Sequence, residues 1–309
     1  MGFKAMLAVV LGLACGAAAA QALPFTLHSL GDGVYAAIDT GKAGANAGFV
    51  IGDDAVLVVD SFDNVAAASA LLGEIRKLTP LPVRYVVNTH YHLDHLGGNA
   101  VFQQAGAVLI AQRNVRGWIG DNIKFFGADP KPDKRALVQA LVAPQLLFDG
   151  ELTIHLGKRR LRLVSLPGHT GGDTVVMVPD AAVLFAGDLF WREAWPNLID
   201  ASVPEWIRTL DRLRSDKDLA ATRYVPGHGE LGNAADVAAF RGQLADVWDA
   251  VHQQREAGLA GDALVEAVLP GLMAKYGRWA FADYFAKPNI KADAAELDGT
   301  KRKPVPLAP

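Results

Sequence analysis

One run, T-H-Y-H-L-D-H-L-G-G-N at residues 89 to 99, constrains this chain more than any other segment. It places three imidazoles and a carboxylate, His90, His92, Asp94 and His95, within a few residues of one another. In an extended backbone alternate side chains share a face, so His90, His92 and Asp94 point the same way. A loop that curls, as Gly97-Gly98 permits, brings His95 to the same place. Imidazole nitrogen and carboxylate oxygen together suit zinc. The run follows V-R-Y-V-V-N (83 to 88), a buried-strand pattern, so the donors are expected at a strand end.

Three more segments repeat that arrangement. His169 lies in L-P-G-H-T-G-G-D (166 to 173), Asp188 in G-D-L-F (187 to 190) and His228 in V-P-G-H-G-E (225 to 230). Gly168, Gly187 and Gly227 beside them allow backbone to approach a crowded centre closely. A lone histidine is ordinarily a hydrogen-bonded core or surface residue, but separate strand-ending loops that each carry a ligand-type residue beside glycine point to one metal centre.

The rest of the chain supplies a scaffold of strands. Short β-rich runs occur at 34 to 39, 47 to 52, 55 to 60 and 108 to 111, and again at 145 to 148, 152 to 156, 161 to 166, 174 to 178 and 182 to 186. Helical spacing occupies 65 to 78, 98 to 105, 203 to 215 and most of 234 to 286. Residues 113 to 143 form a helical excursion broken by the loop Asp129-Pro130-Lys131-Pro132. Two strand-rich halves, each followed by helices, predict an α+β chain with two sheets face to face and helices outside.

Composition narrows the partners. The chain has 309 residues, formal net charge −3 and a pI near 6.2, so no basic excess points to nucleic acid. Residues 1 to 22 combine Lys4, an apolar stretch and alanine-rich small-x-small sites, the pattern of a cleavable signal peptide. The single cysteine, Cys15, lies inside it, which leaves no thiolate ligand or disulfide in the mature part and keeps a lipidation site open. A periplasmic or secreted protein with no stable membrane insertion follows as the expectation. The division expected is a signal peptide over 1 to 22, one domain over 23 to 290 with a helical C-terminal part, and a loose polar tail over 291 to 309.

H-Y-H-L-D-H at 90 to 95, followed in order by His169, Asp188 and His228, resembles the metallo-β-lactamase-fold superfamily. The resemblance covers about residues 30 to 232 and implies an αββα four-layer sandwich of two mixed sheets. It implies one zinc held by His90, His92 and His169 and a second by Asp94, His95 and His228, with Asp188 bridging. Asp60 matches the position that orients a ligand histidine from behind. An aspartate at 188, where true metallo-β-lactamases usually carry Cys or Ser, is more similar to glyoxalase II and general hydrolases. His92 stands where flavodiiron proteins place a carboxylate, which turns the likeness away from a di-iron redox site, although iron or manganese in place of zinc stays open.

Such a site implies a hydrolase in which a metal-bridging hydroxide attacks an ester, lactone, thioester or amide, with Asp94 orienting the nucleophile and handling a proton. A phosphodiester or sulfate-ester hydrolase, a β-lactamase and a non-catalytic metal-binding accessory protein are the alternatives. A net positive centre favours a small-molecule substrate with a nearby carboxylate or phosphate. Tyr91, Phe190, Trp191 and Arg192 are candidate substrate contacts, joined by Trp195, and Trp118, Phe125 and Phe126 a candidate lid. His28, His155, His252 and Lys301-Arg302-Lys303 are assigned to structure or solvent.

Overall fold

The structure, a computed structural model, describes residues 22–41 and 44–304. The export segment expected over 1–22, Cys15 included, lies outside these residues apart from Ala22.

Strand β4 (Val56–Val59) shows how the layers arise. Val56 and Val58 pack into one cluster, with the helix residues Leu71 and Ile75, while Leu57 and Val59 pack into another, against residues of the opposite sheet such as Leu163 and Phe185. A strand buried on both faces reads as a continuous apolar run, as here. Its sheet has seven strands in sequential order: β1 (Phe25–Ser29), β2 (Val34–Asp39), β3 (Ala47–Ile51), β4, β5 (Val83–Val87), β6 (Val108–Gln112) and β7 (Leu146–Phe148). The pairs from β1 to β4 are antiparallel and those from β4 to β7 parallel.

The second sheet contains β8 (Glu151–Leu156), β9 (Arg159–Ser165), β10 (Thr174–Val178), β11 (Val183–Trp191) and β12 (Arg223–His228), in the order β12-β11-β10-β9-β8. Only β11 and β12 run parallel. Parallel neighbours need crossovers, which helices supply. Those of the first half are α1 (Val65–Leu78), α2 (Leu93–Leu96), α3 (Asn99–Gln104), α4 (Arg113–Trp118) and α5 (Pro132–Gln139), with a 3-10 stretch at Ile119–Phe126. Those of the second half are α6 (Val203–Ser215), α7 (Ala234–Glu256), α8 (Gly261–Tyr276) and α9 (Ala282–Leu297). Trp206 and Leu210 of α6 and Phe240 and Leu244 of α7 cover the outer face of the second sheet, where Val175 and Leu184 point. The result is the expected four layers: helices, two mixed sheets, helices.

Strand β1, in which Phe25 and Leu27 alternate with polar Thr26 and His28, is too short a run to be bounded from sequence alone; its pairing with β2 decides it. The loose tail expected from 291 begins later, since α9 runs through Pro288 to Leu297. An interior proline costs a helix about 3 kcal/mol. Here Ile290 is fully buried among α7 to α9, and Asn289 Nδ2 donates to Pro196 O at 2.9 Å, which holds the helix in place. Lys301 is also tied, its Nζ donating to Ala201 O at 2.6 Å and Glu296 Oε2 at 3.0 Å. Among the described residues no helix is long and apolar enough to cross a membrane.

Candidate metal centre

Every donor named from the sequence arrives at one end of the two sheets. The chain leaves β5 at Val87 and passes Asn88-Thr89 extended, so that His90 and His92 follow at alternate positions; α2 then turns Asp94 and His95 inward. His169 lies in the loop after β9, Asp188 in β11 and His228 at the end of β12.

Asp188 organises them through its two carboxylate oxygens. Oδ2 lies 3.2 Å from His169 Nε2 and 3.6 Å from His90 Nε2. His169 Nε2 in turn stands 3.0 Å from His92 Nδ1. Oδ1 lies 3.0 Å from His95 Nε2 and 3.5 Å from His228 Nε2, and Asp94 Oδ2 is 3.3 Å and 3.7 Å from those same rings' nitrogens. Two donor groups result: His90, His92, His169 with Asp188, and Asp94, His95, His228.

These spacings fit metal ligation. Donors about 2.0–2.1 Å from one tetrahedral ion stand about 3.3 Å from each other. His90 Nε2, His95 Nε2, His228 Nε2 and Asp188 Oδ1 are buried and have no hydrogen-bond partner in the protein, although buried polar atoms are nearly always paired. Protonation states divide the donors. Burial and the neighbouring His95 hold His90 well below the usual imidazole range, and burial holds His169 down at about 3, so both rings are neutral. Burial would raise Asp188, but His95, His228, His90 and His169 hold its carboxyl well below the ordinary range. Asp94 is likewise held ionised by His95 and His228 against its burial. Burial would lower His95 and His228, but Asp188 and Asp94 beside them raise His95 well above the usual imidazole range and His228 to about 9. A cation bound there would displace their protons, while His90, His169, Asp188 and Asp94 are already in the ligating state.

The ring nitrogens that face away are fixed from behind. Asp60 Oδ2 lies 2.8 Å from His95 Nδ1, while Asp60 Oδ1 accepts from Thr89 N at 2.8 Å and Oδ2 from Thr89 Oγ1 at 2.8 Å. Asp60 therefore lies behind the His95 ring, with a left-handed φ of 59° that these bonds hold. His228 Nδ1 is 3.0 Å from Gly44 O and His90 Nδ1 is 3.1 Å from Thr89 Oγ1. Such contacts fix which nitrogen is free to ligate.

His92 has a partner the sequence did not reveal. Asp200 Oδ2 lies 3.0 Å from His92 Nε2 and also accepts from Tyr91 Oη and Lys124 Nζ. Lys124 Nζ donates to Asp121 Oδ2 at 2.9 Å, and Asp121 also pairs with Arg302. A chain of alternating charges, exposed at Arg302 and buried at Asp121, Lys124 and Asp200, thus runs from the carboxyl-terminal segment to the His92 ring. Asn99, equally unanticipated, accepts from Ser61 Oγ at 2.9 Å and from Asn88 Nδ2 at 3.0 Å, pinning the ligand loop.

A cavity of about 530 Å³ opens over the donors, with His92, Asp94, Asp188 and His228 on its floor. Phe125, Phe126, Trp191, Phe281, Tyr284 and Phe285 wall it, and Asp63, Leu93 and Asn197 complete it. Of the candidate substrate contacts, Trp191 lines this space and the other four do not. Tyr91 is fully buried, its hydroxyl donating to Asp200. Phe190 is core, packed on Tyr224 and Phe240. Arg192 reaches Asp236 at 3.5 Å. For Phe190 the reason is a register irregularity between Gly187 and Trp191, which breaks the alternation of β11. Phe125 and Phe126 do border the cavity, whereas Trp118 borders a different one beside Thr170 and Lys301, and Trp195 is buried with Nε1 donating to Tyr276 O at 3.0 Å.

Comparison with known proteins agrees with this geometry. Residues 40–228 match the metallo-beta-lactamase superfamily. A hydroxyacylglutathione hydrolase of Methylococcus capsulatus is 30% identical over 68% of this chain and 68% of its own length. A linear primary-alkylsulfatase of a Pseudomonas species is 24% identical over 72% of this chain, a match that spans only 50% of that protein. The solved structure of a metallo-beta-lactamase from Pontibacter korlensis shares the fold, with a TM-score of 0.61 at 21% identity, covering 72% of this chain and 99% of that one. Sequence, sheet order and donor geometry agree: the chain belongs to the metallo-beta-lactamase superfamily and is one of its hydrolases.

Proposed function

We propose that this protein is an exported zinc hydrolase, with two zinc ions per chain, acting on an ester, lactone, thioester or amide. The observation that carries this reading is the Asp188 carboxylate, one oxygen turned to each donor group at the floor of an open cavity. His90, His92 and His169 would hold one ion and Asp94, His95 and His228 the other, with Asp188 between them. A zinc pair there would supply a water activated near neutral pH and a Lewis acid for the substrate oxygen. Asp94, partly exposed on the cavity floor and held ionised, orients the attacking water and takes its proton. Asp60 and Asp200 hold His95 and His92 in the ligating orientation. The apolar, alanine-rich residues 5 to 22 support export to the periplasm.

A sulfate-ester reading is the second one, supported by the mostly apolar cavity wall together with the likeness to an alkylsulfatase. The test is metal analysis of the purified protein followed by turnover of ester, lactone, thioester, cephalosporin, phosphodiester and alkyl sulfate substrates. Two zinc ions per chain and acyl turnover lost in Asp188→Ala are expected. Full metal content and activity in His92→Ala would refute the site.

A further inference from the structure

The walls of the cavity are aromatic on both sides of the donor groups. Phe125 packs edge-on against His92, with ring centroids 5.0 Å apart, and Trp191 lies 3.9 Å from His228. Beyond Trp191 the wall continues with Phe281 at 5.8 Å and Phe285 at 6.2 Å, and Tyr284 at 72% exposure stands at the rim. Among the described residues no lysine or arginine lines this space, while Asp63 places a carboxylate at its edge. The nearby cations are already engaged: Lys124 is buried against Asp200 and Asp121, and Arg192 faces Asp236. An anion carried far from the scissile bond would therefore meet desolvation without a partner.

Half of the aromatic wall comes from outside the matched family region, which ends at 228. Phe281 takes a left-handed φ of 61° just before α9, a conformation bulky residues seldom adopt. It is held by the pairing of Ala280 with the segment after β11, where Ala280 N donates to Glu193 O at 2.8 Å and Trp195 N donates to Ala280 O at 2.9 Å. Backbone strain kept at a cavity wall points to a role in binding.

We propose that this pocket selects substrates whose non-reacting part is an uncharged alkyl or aryl chain of medium length, and that the start of α9 is the specificity wall. The proposal rests on the hydrolase reading above and narrows it: neutral apolar esters or lactones are taken in preference to thioesters of anionic carriers. A volume of about 530 Å³ suits a small-molecule chain of that kind.

The zinc-loaded full chain is assayed on p-nitrophenyl esters from acetate to octanoate, and on an octanoate-length ester that ends in a carboxylate. Each added methylene should raise kcat/KM about three- to fourfold until the cavity is filled. The carboxylate-tipped ester should fall at least about tenfold below its neutral counterpart. Phe285→Ala and the rim variant Tyr284→Ala should each lower the octanoate-to-acetate ratio of kcat/KM severalfold. Calorimetric titration with 2-nonanone and with 8-oxononanoic acid, which carry no hydrolysable bond, reads the same selection without turnover. A flat chain-length series, or a preference for the charged tip, overturns the pocket assignment and leaves the hydrolase reading standing. Nonanone binding weakened in both variants, with no ester turned over, upholds the pocket and overturns the hydrolase reading. Absence of nonanone binding overturns the pocket assignment whatever the turnover.

Discussion

Asp200 Oδ2 lies 3.0 Å from Nε2 of His92, the nitrogen opposite the one turned toward His169. The carboxylate is held well below the usual range by His92 and Lys124 against its burial, so a full negative charge backs the ring. Asp200→Asn keeps the shape and removes that charge. Metal affinity at the His90, His92, His169 group should weaken about 10- to 100-fold, as losses behind ligand histidines do. Competition with a chromophoric chelator measures it, and unchanged affinity would show that His92 needs no partner.

Arg302→Ala probes the far end of the same charge chain. Its loss leaves Asp121, buried at 7% exposure, with Lys124 as its remaining partner. A stability loss of no more than about 1 kcal/mol is expected, because Lys124 still pairs with the carboxylate and Arg302 is itself half-exposed. The effect on metal affinity should be smaller than that of Asp200→Asn and not additive with it, since both act through Lys124. Additive losses would mean the two ends are independent.

Gly227 is the residue against which Asp188 is seated. A Cβ there would fall 1.9 Å from Asp188 Oδ1 and 2.8 Å from its backbone nitrogen. Gly227→Ala should therefore lose bound metal and activity together while circular dichroism still reports a folded chain. Gly73 in α1 offers the contrast, because a Cβ there meets nothing within 4 Å. Gly73→Ala should stabilise the protein by about 0.4–1 kcal/mol with metal content unchanged.

Asp293 gives the stability a pH dependence of its own. It is fully buried in α9, neither oxygen has a hydrogen-bond partner, and burial raises its pKa well above 3.8 despite Lys301, with Glu296 adding to the rise. The folded state keeps the proton longer than the unfolded chain. Stability is thus full below the ordinary carboxylate value and is lost as pH rises through the raised one. Asp293→Asn should flatten the fall in Tm from pH 4 upward, and at pH 8 the variant should melt higher than the natural chain. Parallel melting curves across that range would sink the idea.

Metal removal should be visible in stability as well as activity. Zinc at a hundredfold excess over its Kd would add about 2.7 kcal/mol per site, so a chelator should lower Tm by several degrees. Identical melting with and without chelator would argue against a structural load on these donors.

The donors were legible because their chemistry is local: short motifs of imidazole and carboxylate beside glycine, each after a strand. Helix α1 was legible from its apolar period, and Asn64 caps it by accepting from Ala67 N at 2.9 Å. Asp200 was not, since one aspartate in N-L-I-D looks like any loop acid and its partner His92 is 108 residues away. The cavity wall was half legible. Trp191 and Phe125 lie near motifs, but Phe281 and Phe285 reach the site only through tertiary packing of α9. Phe190 misled because adjacency in sequence says nothing about facing once the strand register slips. Pro288 misled because a local rule for ending helices was outweighed by packing.

Arg302 and Asp121 lie 181 residues apart, and their pairing closes the charge chain that ends at His92. Closing so long a loop is entropically costly and slow. His228, the last of the clustered donors, precedes α9 and Arg302 in the chain, so synthesis delivers every donor before the wall and the charge chain can be completed. A truncation after α8 would therefore remove Phe281, Phe285 and Arg302 while deleting no donor at all.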